Sequence, residues 1–335
     1  MKKAFYLLLV LYWGCAGTSG REKYQKEWNN VVRVREKMME IKMSGPLIGG
    51  NVQLQLMDKY LIVGDYTSYD KLIHLFDKNT FAYLAGTAPK GKGPGEIANL
   101  GYIGVNQAQR EFYVADNSQY KIFSYSLDSV LNNSLYMPEV KMEMGQKIIP
   151  DKYLYVNDTL CIGRVIQPLG VNDFRPFVAK WNMKTGEIRL MEYEHPDVKK
   201  KRMVSAASVK EGIYVECYSR YDLMIIGGLD GKLRCNIYGP DWSKEINGNN
   251  HYVDVAFCRN RIVATYSGGY HASDAYYPTK FVVFDVEGNY LVTLETGCKI
   301  ICFCYDEEKN RIIMCLNEEM QFAYLDLDGL LPEVG

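Results

Sequence analysis

The sequence predicts an all-β chain folded as a six-bladed β-propeller, its ring closed by an N-terminal strand. Three observations carry this. Short apolar strands recur with a nearly constant period. Polar turns separate them, several built on Asp-Gly. No stretch shows helical spacing. The recurring strands begin at Leu61, Phe112, Leu160, Ile213, Ile262 and Ile312, so successive starts lie 51, 48, 53, 49 and 50 residues apart. A period near 50 built only from strands is the signature of a propeller, with room for four strands per repeat.

Each repeat follows the same order. After the recurring strand comes a polar loop and then a further apolar strand: 73–77, 122–128, 177–186, 223–231, 281–288 and 322–329. Turn residues close the last four, among them Asp230-Gly231 and Asp328-Gly329, a strong hairpin signal. In repeat two the four strands are expected at 101–105, 111–115, 121–126 and 136–142. The last repeat shows only three, near 300–304, 311–315 and 321–325. Residues 32–43 alternate apolar and charged side chains (Val32, Val34, then Met39, Ile41 and Met43), as an outer strand does. Placed beside the last repeat, they supply its fourth strand and remove the exposed edge of an open sheet.

Composition sets limits on function. The 335 residues carry 39 Lys+Arg against 40 Asp+Glu, a formal net charge of −1, which argues against nucleic-acid binding through bulk charge. Apolar residues make up 47%, which argues against disorder. Aromatic side chains favour strands, and there are 27 tyrosines.

The N-terminus reads as an export address. Lys2 and Lys3 precede an apolar run at 4–13, too short to span a bilayer, which takes about 20 residues. Gly14-Cys15 then resembles a bacterial lipoprotein lipobox, although Tyr12 and Trp13 stand where that pattern prefers Leu and a small residue. The resemblance implies a signal peptide at 1–15, lipidation of Cys15 and a membrane-anchored lipoprotein, periplasmic or on the outer-membrane surface. Residues 16–30 read as a tether and 31–335 as the propeller. The other eight cysteines are sparse and sit in apolar runs, so they read as buried thiols acting as small hydrophobes.

Gly91-Lys-Gly-Pro-Gly-Glu96, Phe112-Tyr-Val-Ala-Asp116 and Tyr120-Lys-Ile-Phe123 together resemble an NHL-type repeat, and Leu61-Ile-Val-Gly-Asp65 echoes it one period earlier. The chain is similar to the six-bladed, TolB-like propeller lipoproteins of anaerobic didermal bacteria. The resemblance implies that Asp65 and Asp116 brace loop N–H groups. The Gly91 loop reads as a blade-to-blade turn, because Pro94 and strands follow where a phosphate loop needs a helix. The basic run 199–202 reads as a solvated connection between repeats three and four.

Candidate chemistry is thin. The four histidines fall in different repeats, with no His-Glu-x-x-His and no Gly-x-Ser-x-Gly. Asn99, His251 and Asp254 are the best axial candidates for a metal, too few for a metal site, so neither metal nor cofactor is expected. The loops between second and third strands are richer. Those of repeats three and five are long, at 166–176 and 267–278, and the second is rich in tyrosine. Long loops on a rigid scaffold concentrate binding residues. Tyr66, Arg175, Arg220, Tyr270, His271, Asp274 and Tyr277 are therefore the candidate ligand contacts, expected together at one channel mouth. The function expected is a ligand-binding or protein-interaction module for a glycan, a peptide or an envelope protein. It touches the membrane only through its anchor and binds no nucleic acid. The alternative is a metal-dependent lyase or lactonase at the same mouth, and a purely structural subunit is a third reading.

Overall fold

A computed structural model describes residues 20–170 and 173–332. Cys15, with the rest of the expected signal segment, lies outside the described residues. Six antiparallel sheets follow one another along the chain as blades. Blade one is Val52–Met57, Tyr60–Asp65, Lys71–Asp77 and Tyr83–Pro89. Blade two is Leu100–Asn106, Glu111–Asp116, Lys121–Ser126 and Glu139–Glu143. Blade three is Ile149–Asn157, Leu160–Gly170, Asp173–Trp181 and Ile188–Leu190. Blades four and five run Met203–Ser208, Ile213–Tyr218, Leu223–Gly228, Leu233–Tyr238 and Asn249–Cys258, Arg261–Tyr270, Lys280–Asp285, Tyr290–Glu295. Blade six has Ile300–Asp306, Arg311–Leu316 and Phe322–Asp326.

The missing strand of blade six is Met39–Glu40, antiparallel to Phe322–Asp326 with Tyr324 opposite Met39. It lies inside the alternating segment picked out in the sequence. The arm before it does more than expected. Glu22–Tyr24 adds a parallel fifth strand to the outer edge of blade four, and Val31–Arg33 does the same on blade five. Between them Trp28 packs edge-on against Tyr266 and Phe284. The tether expected at 16–30 is thus laid on the propeller from Glu22 onward. Each parallel pair satisfies backbone groups that an outer edge strand would leave open. One more difference is local. Blade two carries a short helix, Leu127–Asn132, where the third strand was expected to continue; the Ser126 hydroxyl caps it by accepting from the Ser129 N–H at 3.3 Å.

The core is divided among the gaps between blades. One cluster joins blades five and six (Val283, Phe303, Ile312), another joins six and one (Leu61, Phe76, Ile313) and a third joins one and two (Ile73, Ile103, Phe112). The seam between blades six and one carries a buried ionic cluster. The Asp306 carboxylate accepts from Lys78 Nζ at 2.9 Å and Arg311 Nε at 3.0 Å, and Arg311 Nη2 donates to the Lys78 carbonyl at 2.7 Å. At the opposite end Gln321 Nε2 donates to the carbonyls of Ile48 and Gly49.

Burial alone would raise the Asp306 pKa, but Lys78 and Arg311 hold it below 3.8. Its contribution is therefore full above the ordinary carboxylate range and lost as pH falls through the lowered value. Asp306→Ala leaves Arg311 buried with no carboxylate partner among the described residues, while Lys78 keeps its pair with Glu308 at 2.7 Å, a change that costs about 3 kcal/mol. Urea unfolding at neutral pH should show that loss, and the gap to the wild type should narrow in strong acid.

Candidate functional site

The innermost strands of the six blades surround a channel of about 900 Å³. Each of these strands has a neighbour on one side only, so its other backbone edge faces the channel and needs partners. Side chains supply some of them. Gln53 Nε2 donates to the Gly101 carbonyl at 2.7 Å and to the Tyr66 hydroxyl at 2.8 Å, and its Oε1 accepts from the Ile103 N–H at 2.9 Å. Arg164 Nη1 donates to the Met203 carbonyl at 2.5 Å while its Nε binds Asp151 at 2.5 Å. Lys152 of blade three reaches past blade four to pair with Asp254 of blade five. Burial works against the Lys152 charge, yet Asp254 raises its pKa above 10.5.

Gln53, Tyr66, Tyr102, Asp151, Lys152 and Arg164 line the part of the channel near the starts of the inner strands. Near their ends Leu56, Leu154 and Phe257 share the wall with Lys210 and Glu307. The Tyr102 ring stands edge-on to Tyr153 at 5.2 Å. Cys302 and Cys304 also face the channel, but burial raises both thiol pKa values, so they stay protonated and poorly nucleophilic. Among the described residues no group of three His, Cys, Asp or Glu is placed to hold a metal.

The candidate residues named from the sequence all sit at or beyond the end of a second strand or the start of a third. These ends share the face of the blade-to-blade connections. Backbone N–H groups of Tyr66, Asn117, Ser219, His271 and Asn317 bond to Asn51, Asn99, Arg202, Gly248 and Lys299, each just before an innermost strand. Only Tyr66 of the seven lines the channel. The Tyr270 ring lies tilted against its neighbour His271, whose ring nitrogen bonds the Gly248 carbonyl at 2.6 Å. Asp274 pairs with Lys299 at 2.9 Å, and Tyr277 lies under the same ammonium. Arg175 pairs with Glu194 at 2.7 Å, and Arg220 is half-buried beside Ser219. Arg175 is not on a loop at all: the expected loop 166–176 is the extended end of a hairpin, with Gln167 opposite Arg175. Among the described residues, no hydrogen bond, ion pair or ring contact joins these groups into one site with Tyr66.

The aspartates do structural work on the same face. Asp65 accepts from the N–H groups of Gly49 and Thr67, and Asp116 from those of Ala98, Asn99, Ser118 and Gln119. In blade four Asp222, unnoticed in the sequence, takes this role by accepting from Asp241 N–H and Tyr266 hydroxyl. The Gly91 turn is filled by its own Glu96 carboxylate, which accepts from Gly93 N–H at 2.7 Å, leaving no cradle for a phosphate. The channel charges went unnoticed, Asp254 excepted. Asp151, Lys152 and Asp254 lie on first strands and Arg164 on a second strand, and nothing local marks a polar residue there as facing an axis.

Comparison with known proteins agrees with this architecture. Residues 44–159 match the model of the DUF5128 family, described as a 6-bladed beta-propeller. The structure superimposes on a DUF4221 family member from Bacteroides vulgatus with a TM-score of 0.56 at 12% identity, covering 89% of this chain and 98% of that one. A Bacteroides fragilis protein provisionally assigned as exported gives 0.52 at 10% identity, with 88% of each chain covered. The extracellular domain of a B. thetaiotaomicron protein provisionally assigned as a one-component system gives 0.50 at 12% identity; 84% of this chain covers 35% of that one. No curated protein matches the chain.

The four histidines do not all fall in different repeats: His251 heads the innermost strand of blade five, and His271 follows that blade's second strand. His251 is buried, with its Nδ1 3.4 Å from the Tyr266 hydroxyl. Burial lowers its pKa to about 4. A depressed histidine contributes stability above its unfolded value near 6.5 and loses it as pH falls toward 4, in all about 3 kcal/mol. Asp222, raised by burial to about 6, acts in the opposite sense over the same range. His251→Phe removes only the first contribution. Urea unfolding at pH 7 and pH 4.5 should show a smaller acid loss in this variant than in the wild type.

Proposed function

We propose that this chain is an exported binding module whose central channel takes a small polar ligand. One observation carries the reading: the channel combines ligand-sized volume with charges of both signs, amides and tyrosines on its wall. Binding sites of about 300–1,000 Å³ with a few placed polar groups are the usual form for small molecules. Export is supported by the basic start and apolar run before Cys15 and by the descriptions of two structural neighbours. Membership of the NHL/TolB-like lipoproteins, with Cys15 lipidated, belongs to the same proposal. The ligand is read as a glycan or a short peptide; a folded envelope protein would engage the rim instead.

Thermal unfolding of the full chain with a panel of oligosaccharides and short peptides tests the channel. A ligand of the native state at 100 times its Kd raises stability by about 2.7 kcal/mol. Tyr102→Ala and Gln55→Ala should each reduce the shift given by the wild-type hit. A panel without any shift, or hits indifferent to both substitutions, would overturn the reading. For the anchor, labelled palmitate should enter the wild type in a lipoprotein-processing host and not Cys15→Ser; equal labelling of the two would remove that part.

A further inference from the structure

The chain as a whole balances its charges, yet one sector of the channel rim does not. Three arginines, Arg164, Arg202 and Arg220, belong to backbone that meets at the head of blade four's innermost strand. Arg164 bonds the Met203 carbonyl from blade three. Arg202 precedes Met203, and its own carbonyl accepts from the Ser219 N–H at 2.8 Å. Arg220 follows Ser219. Asp151 answers Arg164, but Arg202 and Arg220 have no carboxylate within 4 Å among the described residues. Beside them Arg175 and Lys201 share one surface carboxylate, Glu194, at 2.7 and 3.1 Å. A further acid, Glu216, lies buried and takes the Tyr218 hydroxyl at 2.6 Å.

The geometry of these cations matters as much as their number. Arg202 lies over the Phe174 ring, 3.9 Å from its centroid, and Arg175 and Lys201 lie over Phe177 at 5.1 and 5.3 Å. A guanidinium stacked on a ring keeps its in-plane N–H edge free and loses little freedom on binding, and that edge matches the two oxygens of a carboxylate or sulfate. Arg202, held flat on Phe174 and unanswered by a carboxylate among the described residues, and the likewise unpaired Arg220 also draw an anion toward the channel mouth through their field.

We propose that this rim binds an acidic saccharide. Its oxyanion sits on the Arg202 and Arg220 forks, and its sugar body enters the channel along Tyr66, Tyr102 and Gln55. Tyrosine faces suit the C–H face of a sugar ring, and amides suit its hydroxyls. The basic run 199–202 thereby acquires a role beyond that of a solvated connection, through Arg202. The proposal rests on the channel reading above and adds the charge of the ligand and the blades that select it.

Calorimetric titration of the full chain with trigalacturonate and with neutral maltotriose tests it. Trigalacturonate should bind at least about tenfold more tightly at low salt, and its advantage should shrink as salt is raised. Arg202→Gln with Arg220→Gln should remove that advantage and leave maltotriose unchanged. Arg220→Gln alone, at a position with no ion pair, should weaken the acid in the same direction and guards against misfolding of the double variant. Equal binding of both sugars, acid binding indifferent to these substitutions, or no acid binding would each overturn the proposal. If neutral sugars or peptides still shift the unfolding midpoint through Tyr102, the channel reading stands while the acidic-ligand inference falls.

Discussion

A ring of sheets must close, and here it closes between a blade made at the end of the chain and a strand made near its start. Met39–Glu40 completes the last blade, and the Lys78–Asp306–Arg311 cluster locks the seam between that blade and the first. The channel depends on this. Its wall is six separate strands, tied around the axis by side chains and by a few backbone bonds, His251 N–H to the Ser219 carbonyl and Ile300 N–H to the Pro278 carbonyl among them. If the seam opens, blades one and six lose the apolar cluster they share and the axis is no longer enclosed.

The same constraint explains why the axis is polar. Inner strands present unpaired backbone edges, and buried backbone groups need partners. Gln53 ties blade one to blade two, Arg164 ties three to four, and Lys152 ties three to five. Side chains recruited to hold blades together thus leave amides and charges on a wall that a ligand can reach. In the proposed binding reading, Lys152 and Arg164 would serve both stability and binding, whereas Tyr102, Arg202 and Arg220 would serve binding alone, which is why those positions discriminate between the two roles.

Much of the fold was legible because it is written locally and repeatedly. Leu61, Phe112, Leu160, Ile213, Ile262 and Ile312 all open or nearly open second strands, since a strand and its turn announce themselves within ten residues. The alternation around Met39 and Ile41 marked the closing strand for the same reason. What escaped is what depends on distant pairing. Glu22–Tyr24 is three residues of ordinary polarity and is a strand only because blade four offers it an edge. The site divides likewise. The loop after a second strand pointed to Tyr66, which lines the channel, whereas the same reasoning pointed to Arg175 and Arg220, which do not. Lys152 finds Asp254 across 102 positions, and neither residue's neighbours foretell it. Loop length misled at repeat three, where an apparent loop is a hairpin that keeps its pairing to Gly170 and Asp173.

The N-terminal arm sets an order of assembly. Residues 22–40 are made well before their partners at 236–238, 293–295 and 323–324. Chains dominated by such distant pairings fold slowly, because loop closure precedes the reward. Until blades four, five and six are each synthesised, the stretch of arm that pairs with each stands open, and unpaired edges invite association between chains. A protein that leaves the cell unfolded would meet this interval after translocation, with the whole chain released at once. There the arm competes with its counterparts on neighbouring molecules, and a strand exchanged between two propellers is the natural error.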